Sequence, residues 1–172
     1  MANTTFSGPV ISKNGFTSTG PCMTVSLTAD TTLTVAAHAG RILLCNDADG
    51  KFTLPSINVN SNGATAGDND FNNLNNIVAT FTFFVETAAT DMDIKSVGTD
   101  KFKGAIMIGV DDGSKKAFVP GATNDVITMN GSTKGGIVGS VVSFTAIDTA
   151  TYMVHNSLLI GSGTIVTPYA DA

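Results

Sequence analysis

No stretch of about 11 residues in this chain repeats apolar side chains at the 3.6-residue period of a helix with matching capping signals. The apolar residues come instead in short runs broken by glycine, asparagine and aspartate. Most runs alternate, which is the period of a half-buried strand. That pattern confines the chain to an all-β fold, a single β-barrel or β-sandwich domain. At 172 residues one domain is the natural unit, because a chain of this size buries roughly 70% of the surface its unfolded form exposes.

Residues 23–27 and 33–35 alternate apolar and hydroxyl side chains. Residues 40–45 and 51–54, joined by Asn46-Asp47-Ala48-Asp49-Gly50, read as a hairpin with a glycine for positive φ. The strongest strand is expected over 77–86. Ile77, Ala79, Phe81, Phe83 and Val85 form its core face, and Phe84 lies on the other side with Val78, Thr80, Thr82 and Glu86. An aromatic there predicts that the second face is also covered in part, which makes Phe84 the candidate oligomer-interface residue. A second hairpin is expected where 105–110 and 115–119 flank Asp111-Asp112-Gly113-Ser114, with Pro120 closing it. Further strands are expected over 126–129, 137–147, 152–155 and 158–166. A long loop runs over 58–76, with room for a helical turn near 71–74.

Residues 1–20 differ from the body, 21–172. Phe6, Val10, Ile11 and Phe16 stand among Gly8, Pro9, Asn14 and Gly15, and Pro9 cannot donate to a ladder. An extended N-terminal arm and an ordinary edge strand of the same domain fit this segment equally. As an arm it would be costly to leave exposed, so it is expected to lie on the body, on a sister subunit or on a partner.

Charge narrows the function. Charged residues make up 13% of the chain, against about 25% in ordinary soluble domains, and threonine, serine, asparagine and glycine take their place. Such a surface suits a protein covered by its own copies or by a partner. The net charge is −5, and no basic stripe is present to release counterions from phosphates, so nucleic acid is not an expected partner. The longest apolar runs, 77–85 and 158–160, are far shorter than the roughly 20 residues that span a bilayer as a helix. Residues 1–5 carry neither a basic region nor an apolar run, so no secretory signal is expected and synthesis in a cytoplasm follows. Cys22 and Cys45, in apolar surroundings, are expected to be buried thiols.

Catalytic readings fail on chemistry. His38, before a strand, and His155 have no serine or cysteine elbow beside them. The aspartates at 47–49, 68–70, 91–93 and 111–112 lack the alternate ligands and twelfth-position glutamate of an EF-hand. Turn formation accounts for them, since Asp and Asn bond their own backbone. Gly131-Ser132-Thr133-Lys134-Gly135-Gly136 has the wrong order for a phosphate loop and runs into a strand. No enzyme activity, cofactor or metal is expected.

The opening Met1-Ala2-Asn3-Thr4-Thr5-Phe6-Ser7-Gly8-Pro9-Val10, followed by Asn14-Gly15-Phe16, resembles the start of small proteins encoded beside the major capsid protein of tailed phages, notably marine and cyanobacterial ones. Residues 33–35, 39–44 and Phe52-Thr53-Leu54-Pro55, then Phe81-Thr82-Phe83-Phe84-Val85, are similar to a phage module in which a strand ending in Thr-Leu-Pro precedes a Phe-rich strand. In that family an aromatic pair usually stands near the C-terminus; Thr151-Tyr152-Met153-Val154 takes its place here. The resemblance implies a capsid decoration or cement protein, commonly a homotrimer, made in the host cytoplasm and seated on the outer surface of the virion. There it would bind the major capsid protein and clamp neighbouring capsomers. Phe6, Pro9, Val10, Ile11 and Phe16 are its candidate capsid-binding residues. The alternative is a phage fibre or receptor-binding adhesin on a similar β fold, with the 58–76 loop as its recognition surface. A chain of this length without an internal repeat favours decoration.

Overall fold

The computed structural model describes residues 24–58 and 76–172. The arm with Phe6, Pro9, Val10, Ile11 and Phe16, the cysteine Cys22, and residues 59–75 of the long loop lie outside the described residues. The rest is an all-β sandwich of two sheets, and neither closes into a barrel.

The larger sheet runs in the order β1 (Thr24–Leu27), β3 (Ile42–Cys45), β5 (Thr80–Val85), β11 (Val141–Asp148), β12 (Thr151–Gly161), β8 (Ile106–Val110) and β9 (Lys115–Phe118). An eighth strand, β7 (Lys101–Lys103), pairs with the first residues of β12. The smaller sheet runs β13 (Tyr169–Ala170), β10 (Val126–Met129), β6 (Met92–Lys95), β4 (Lys51–Thr53) and β2 (Thr31–Thr32).

From β1 to β6 the chain alternates between the sheets. Thr24 lies beside Ile42 and Ile42 beside Thr82, all in parallel. In the other sheet Thr31 lies beside Phe52, and Phe52 beside Ile94. Each pass therefore stacks on the one before, and like side chains fall in register: Leu27, Cys45 and Val85 form one buried inward column. This stacking corrects two expectations. Residues 40–45 and 51–54 are not a hairpin, because β3 and β4 belong to opposite sheets. The Asn46–Gly50 turn bonds its neighbouring passes, with the Asn46 amide donating to Leu27 O at 2.9 Å and the Thr90 amide donating to Ala48 O at 2.7 Å. Asp and Gly permit either a reversal or a crossover, so residue type alone does not choose. The stack is also a structural repeat, which self-similarity of the sequence does not display.

Other boundaries move for local reasons. The strand expected from residue 77 starts at Thr80, because Val78 is left-handed at φ 64° and its side chain is 76% exposed. The strand expected over 33–35 ends at Thr32; Thr34 caps a single helical turn, α1 (Val35–His38). The strand expected from 137 begins at Val141, after the left-handed Gly139. The two strands expected over 152–155 and 158–166 are one strand, β12, which ends at Gly161 and carries an irregularity at Asn156, where φ is 45°. The β8–β9 hairpin and β10 form where expected. In that hairpin Gly113 adopts φ 85° and Asp112 accepts the Ser114 amide at 2.7 Å.

Between the sheets the core is aromatic. Phe83 meets Phe144 edge-on at 5.7 Å, Phe102 lies 5.0 Å from Phe144, and Phe52 of the smaller sheet stacks on Phe83 at 6.1 Å. The chain's two tyrosines tie the layers together. Tyr152 of β12 donates its hydroxyl to Pro55 O at 2.6 Å, just past β4, and Tyr169 of β13 donates to Gly104 O at 2.7 Å, just past β7. Burial raises both phenols above their ordinary pKa.

Candidate interaction surface

Among the described residues, both histidines, Cys45 and several carboxylates are engaged in holding the fold. The Nδ1 atom of His38 accepts the Thr34 amide at 2.9 Å and so closes α1 on its own cap. Burial lowers its pKa, with Arg41 adding to the effect. The Nε2 atom of His155 is bonded to the Thr145 hydroxyl at 2.8 Å. Cys45 is a buried free thiol whose pKa burial pushes up to about 12, so it is neither thiolate nor nucleophile at neutral pH. Several carboxylates accept backbone amides: Asp148 bonds the Ala150 amide within its own turn and Asp30 the Lys51 amide of a distant segment, each at 2.9 Å. Lys51 lies 3.0 Å from both Asp91 and Asp93. Among the described residues no three His, Cys, Asp or Glu side chains converge on a point that could hold an ion.

Two open clefts, of about 340 and 400 Å³, flank β9. The first is lined by Phe102, Lys103, Val119 and Pro120, the second by Lys115, Lys116 and Thr164, and neither contains a histidine, cysteine or carboxylate.

The outer face of the eight-stranded sheet is different in kind. Alternation on β5 buries Phe81, Phe83 and Val85 and turns Thr80, Thr82 and Phe84 outward, so Phe84 is where the sequence places it, on the outside and half-buried. Strand pairing then sets Leu44, Phe84, Val141, Leu158, Met107 and Ala117 side by side across six neighbouring strands. Leu158 is 48% exposed and Met107 44% exposed. The row crosses the sheet at right angles to the chain and holds no charged side chain.

A polar band runs beside it. The hydroxyls of Thr82 and Ser143 are 2.9 Å apart, and those of Thr80 and Thr145 are 2.7 Å apart. With the Thr145–His155 bond these pairs satisfy one another within the face. Glu86, one residue past β5, accepts a bond from the Asn46 amide group at 2.8 Å. Lys115, on β9, is exposed and pairs in register with Gly109.

Of the residues singled out in the sequence, the structure therefore locates Phe84 and leaves the arm residues outside its description. Its companions Val141, Leu158 and Met107 are not singled out by the sequence. Alternation tells which side of its own strand each occupies, but only register brings them into one row. Compared with known proteins, the chain matches no family model, no curated protein and no solved structure.

Proposed function

We propose that this chain is a structural protein of a tailed-phage virion that self-associates, binds the outer surface of the capsid and stabilises contacts between capsomers, without a catalytic role. The observation that carries the proposal is the uncharged apolar row on the outside of a sandwich whose acid, base and nucleophile candidates are engaged in turns, caps and burial. Such a surface suits binding rather than reaction. The assignment to a phage head rests on the resemblance of residues 1–16 and of the Thr-Leu-Pro and Phe-rich strands to decoration proteins.

In this reading Phe6, Pro9, Val10, Ile11 and Phe16 hold the capsid. Burial of large apolar side chains contributes roughly 1.5–3 kcal/mol each, while ordering extended backbone costs about 1–2 kcal/mol per residue. Attachment therefore relies on several arms binding together. The test is co-sedimentation with capsids that lack the protein. Full-length protein should pellet in hundreds of copies per particle, and protein lacking residues 1–16 should stay folded and self-associated but remain in the supernatant. A stoichiometry of a few to a few tens per virion would favour the fibre or adhesin reading instead. A truncated protein that unfolds would make the segment a strand of the body.

A further inference from the structure

We infer that two copies of this chain pack face to face through the outer surface of the eight-stranded sheet, about a twofold axis running along β12, with Leu158 of each copy against Leu158 of the other. The inference rests on the proposed self-association, and it sets a twofold pair in place of the homotrimer that the resemblance implies.

Strand order supplies the first reason. β5 and β9 lie two strands to either side of β12, and β11 and β8 lie one strand to either side. A half-turn about β12 exchanges the members of each pair and preserves strand direction, so the two sheets pack in the aligned manner of a sandwich, about 10 Å apart. In the apolar row this sets Phe84 over Ala117 and Val141 over Met107, each larger or branched side chain opposite a smaller or more flexible one. Leu158, in the same row, falls on the axis.

Charge supplies the second. The next row outward includes Ile160, Gly109 and Lys115 in register, and Glu86 extends the line of β5 into it. The same half-turn brings Glu86 of one copy toward Lys115 of the other, and does so at both rims. A C2 interface must be self-complementary, and an acid and a base disposed symmetrically about the axis meet that condition.

The polar band supplies the third. Covering a sheet face is costly when it strands hydroxyls away from water. Here the Thr82, Ser143, Thr80, Thr145 and His155 side chains already bond one another, so the face closes with few unmet bonds. The covered region, five strands wide and six residues tall, is roughly 24 Å by 20 Å. For the pair this is about 1,000 Å², the lower bound for a specific interface. A micromolar association is the corresponding expectation.

The test uses the full chain. Sedimentation equilibrium at micromolar concentration should report a dimer or an even-numbered assembly, and Leu158→Asp, which changes an exposed position, should give a folded monomer with an unchanged circular-dichroism spectrum. Leu158→Cys in a Cys22→Ser background should be captured as a covalent dimer by a short thiol-to-thiol crosslinker, whereas Val166→Cys, exposed to a similar degree but beyond β12, should not. Glu86→Lys should weaken association at least tenfold, and adding Lys115→Glu should restore it. A wild-type monomer overturns both this inference and the proposed self-association. An oligomer that survives Leu158→Asp, or that is a trimer, overturns the inference alone. Loss of capsid binding with unchanged self-association in Leu158→Asp also overturns it, and assigns the face to the capsid.

Discussion

Tyr152→Phe isolates one bond between the two sheets. The ring of Tyr152 is fully buried on the core side of β12, and its only polar atom donates to Pro55 O at 2.6 Å. Phenylalanine keeps the ring and its packing, so the variant removes a hydroxyl and leaves a carbonyl without its donor. A stranded buried acceptor costs about 1–3 kcal/mol. Pro55 is half-buried, which gives water some access to its carbonyl and places the expectation at the lower end, about 1–1.5 kcal/mol. In a chain of this length each kcal/mol lowers Tm by about 2–4 °C, so the melting temperature should fall by roughly 2–6 °C. Urea denaturation should show a lower midpoint with an unchanged m-value, because the surface exposed on unfolding is the same. Tyr169→Phe removes the equivalent bond to Gly104 O, and the double variant should be additive within about 0.5 kcal/mol. A Tyr152→Phe protein within about 0.3 kcal/mol of wild type would refute the claim that the hydroxyl fastens the layers. Coupling well beyond 0.5 kcal/mol between the tyrosines would show that the sheets do not respond independently at the two places.

Three further outcomes are expected. Burial opposes ionisation of Asp125, but Lys101 and the Ala172 amide, donating at 2.8 Å, outweigh it and hold the carboxyl below its ordinary pKa; its stabilisation is present above about pH 4, the unfolded aspartate value, and is lost as pH falls through the lower folded value. Asp125→Asn should therefore cost about 1 kcal/mol at pH 7 and flatten the acid limb of a stability-against-pH curve, and an unchanged limb would count against the pair. Gly104→Ala should be severe, at least about 3 kcal/mol, because Gly104 has φ 127° and a Cβ there would sit 2.1 Å from Val154 O; soluble expression at wild-type yield with an unchanged melt would contradict that geometry. Since no three His, Cys, Asp or Glu side chains converge among the described residues, EDTA should leave Tm within about 1–2 °C, whereas a tightly bound ion would shift stability by several kcal/mol through mass action.

Much of the fold is legible from local pattern. The β8–β9 hairpin announces itself because its two arms are close in sequence and Asp112 and Gly113 have the chemistry the turn needs. The inward side of β5 follows from the spacing of Phe81, Phe83 and Val85. β6 and β7 are harder to see: Met92-Asp93-Ile94-Lys95 and Lys101-Phe102-Lys103 bury one side as strands do, but three or four residues with charged outer positions give too short a period to stand out. The crossing of β3 to β4 between sheets depends on which distant strand each one meets, as parallel neighbours always do. The interaction surface has the same dependence. Phe84 is conspicuous as an aromatic among threonines, whereas Leu158 and Met107 look like ordinary strand residues until β12 and β8 are set beside β11.

The position of β12 bears on how the chain is made. Pairing with β11 on one side and with both β7 and β8 on the other, this strand joins the stacked passes of the first half to the β8–β9 hairpin. The larger sheet stays in two pieces until residue 161 has emerged from the ribosome. At about 5–20 residues per second, the 51 residues from Val110 to Gly161 leave the edge of β8 without its partner for roughly 3–10 s, and the 13 residues from Asp148 leave that of β11 so for about 1–3 s. Unpaired edges invite pairing with other chains, so each nascent copy passes through an interval in which its neighbours on a polysome compete with its own last long strand. Completion of β12 then closes both edges at once.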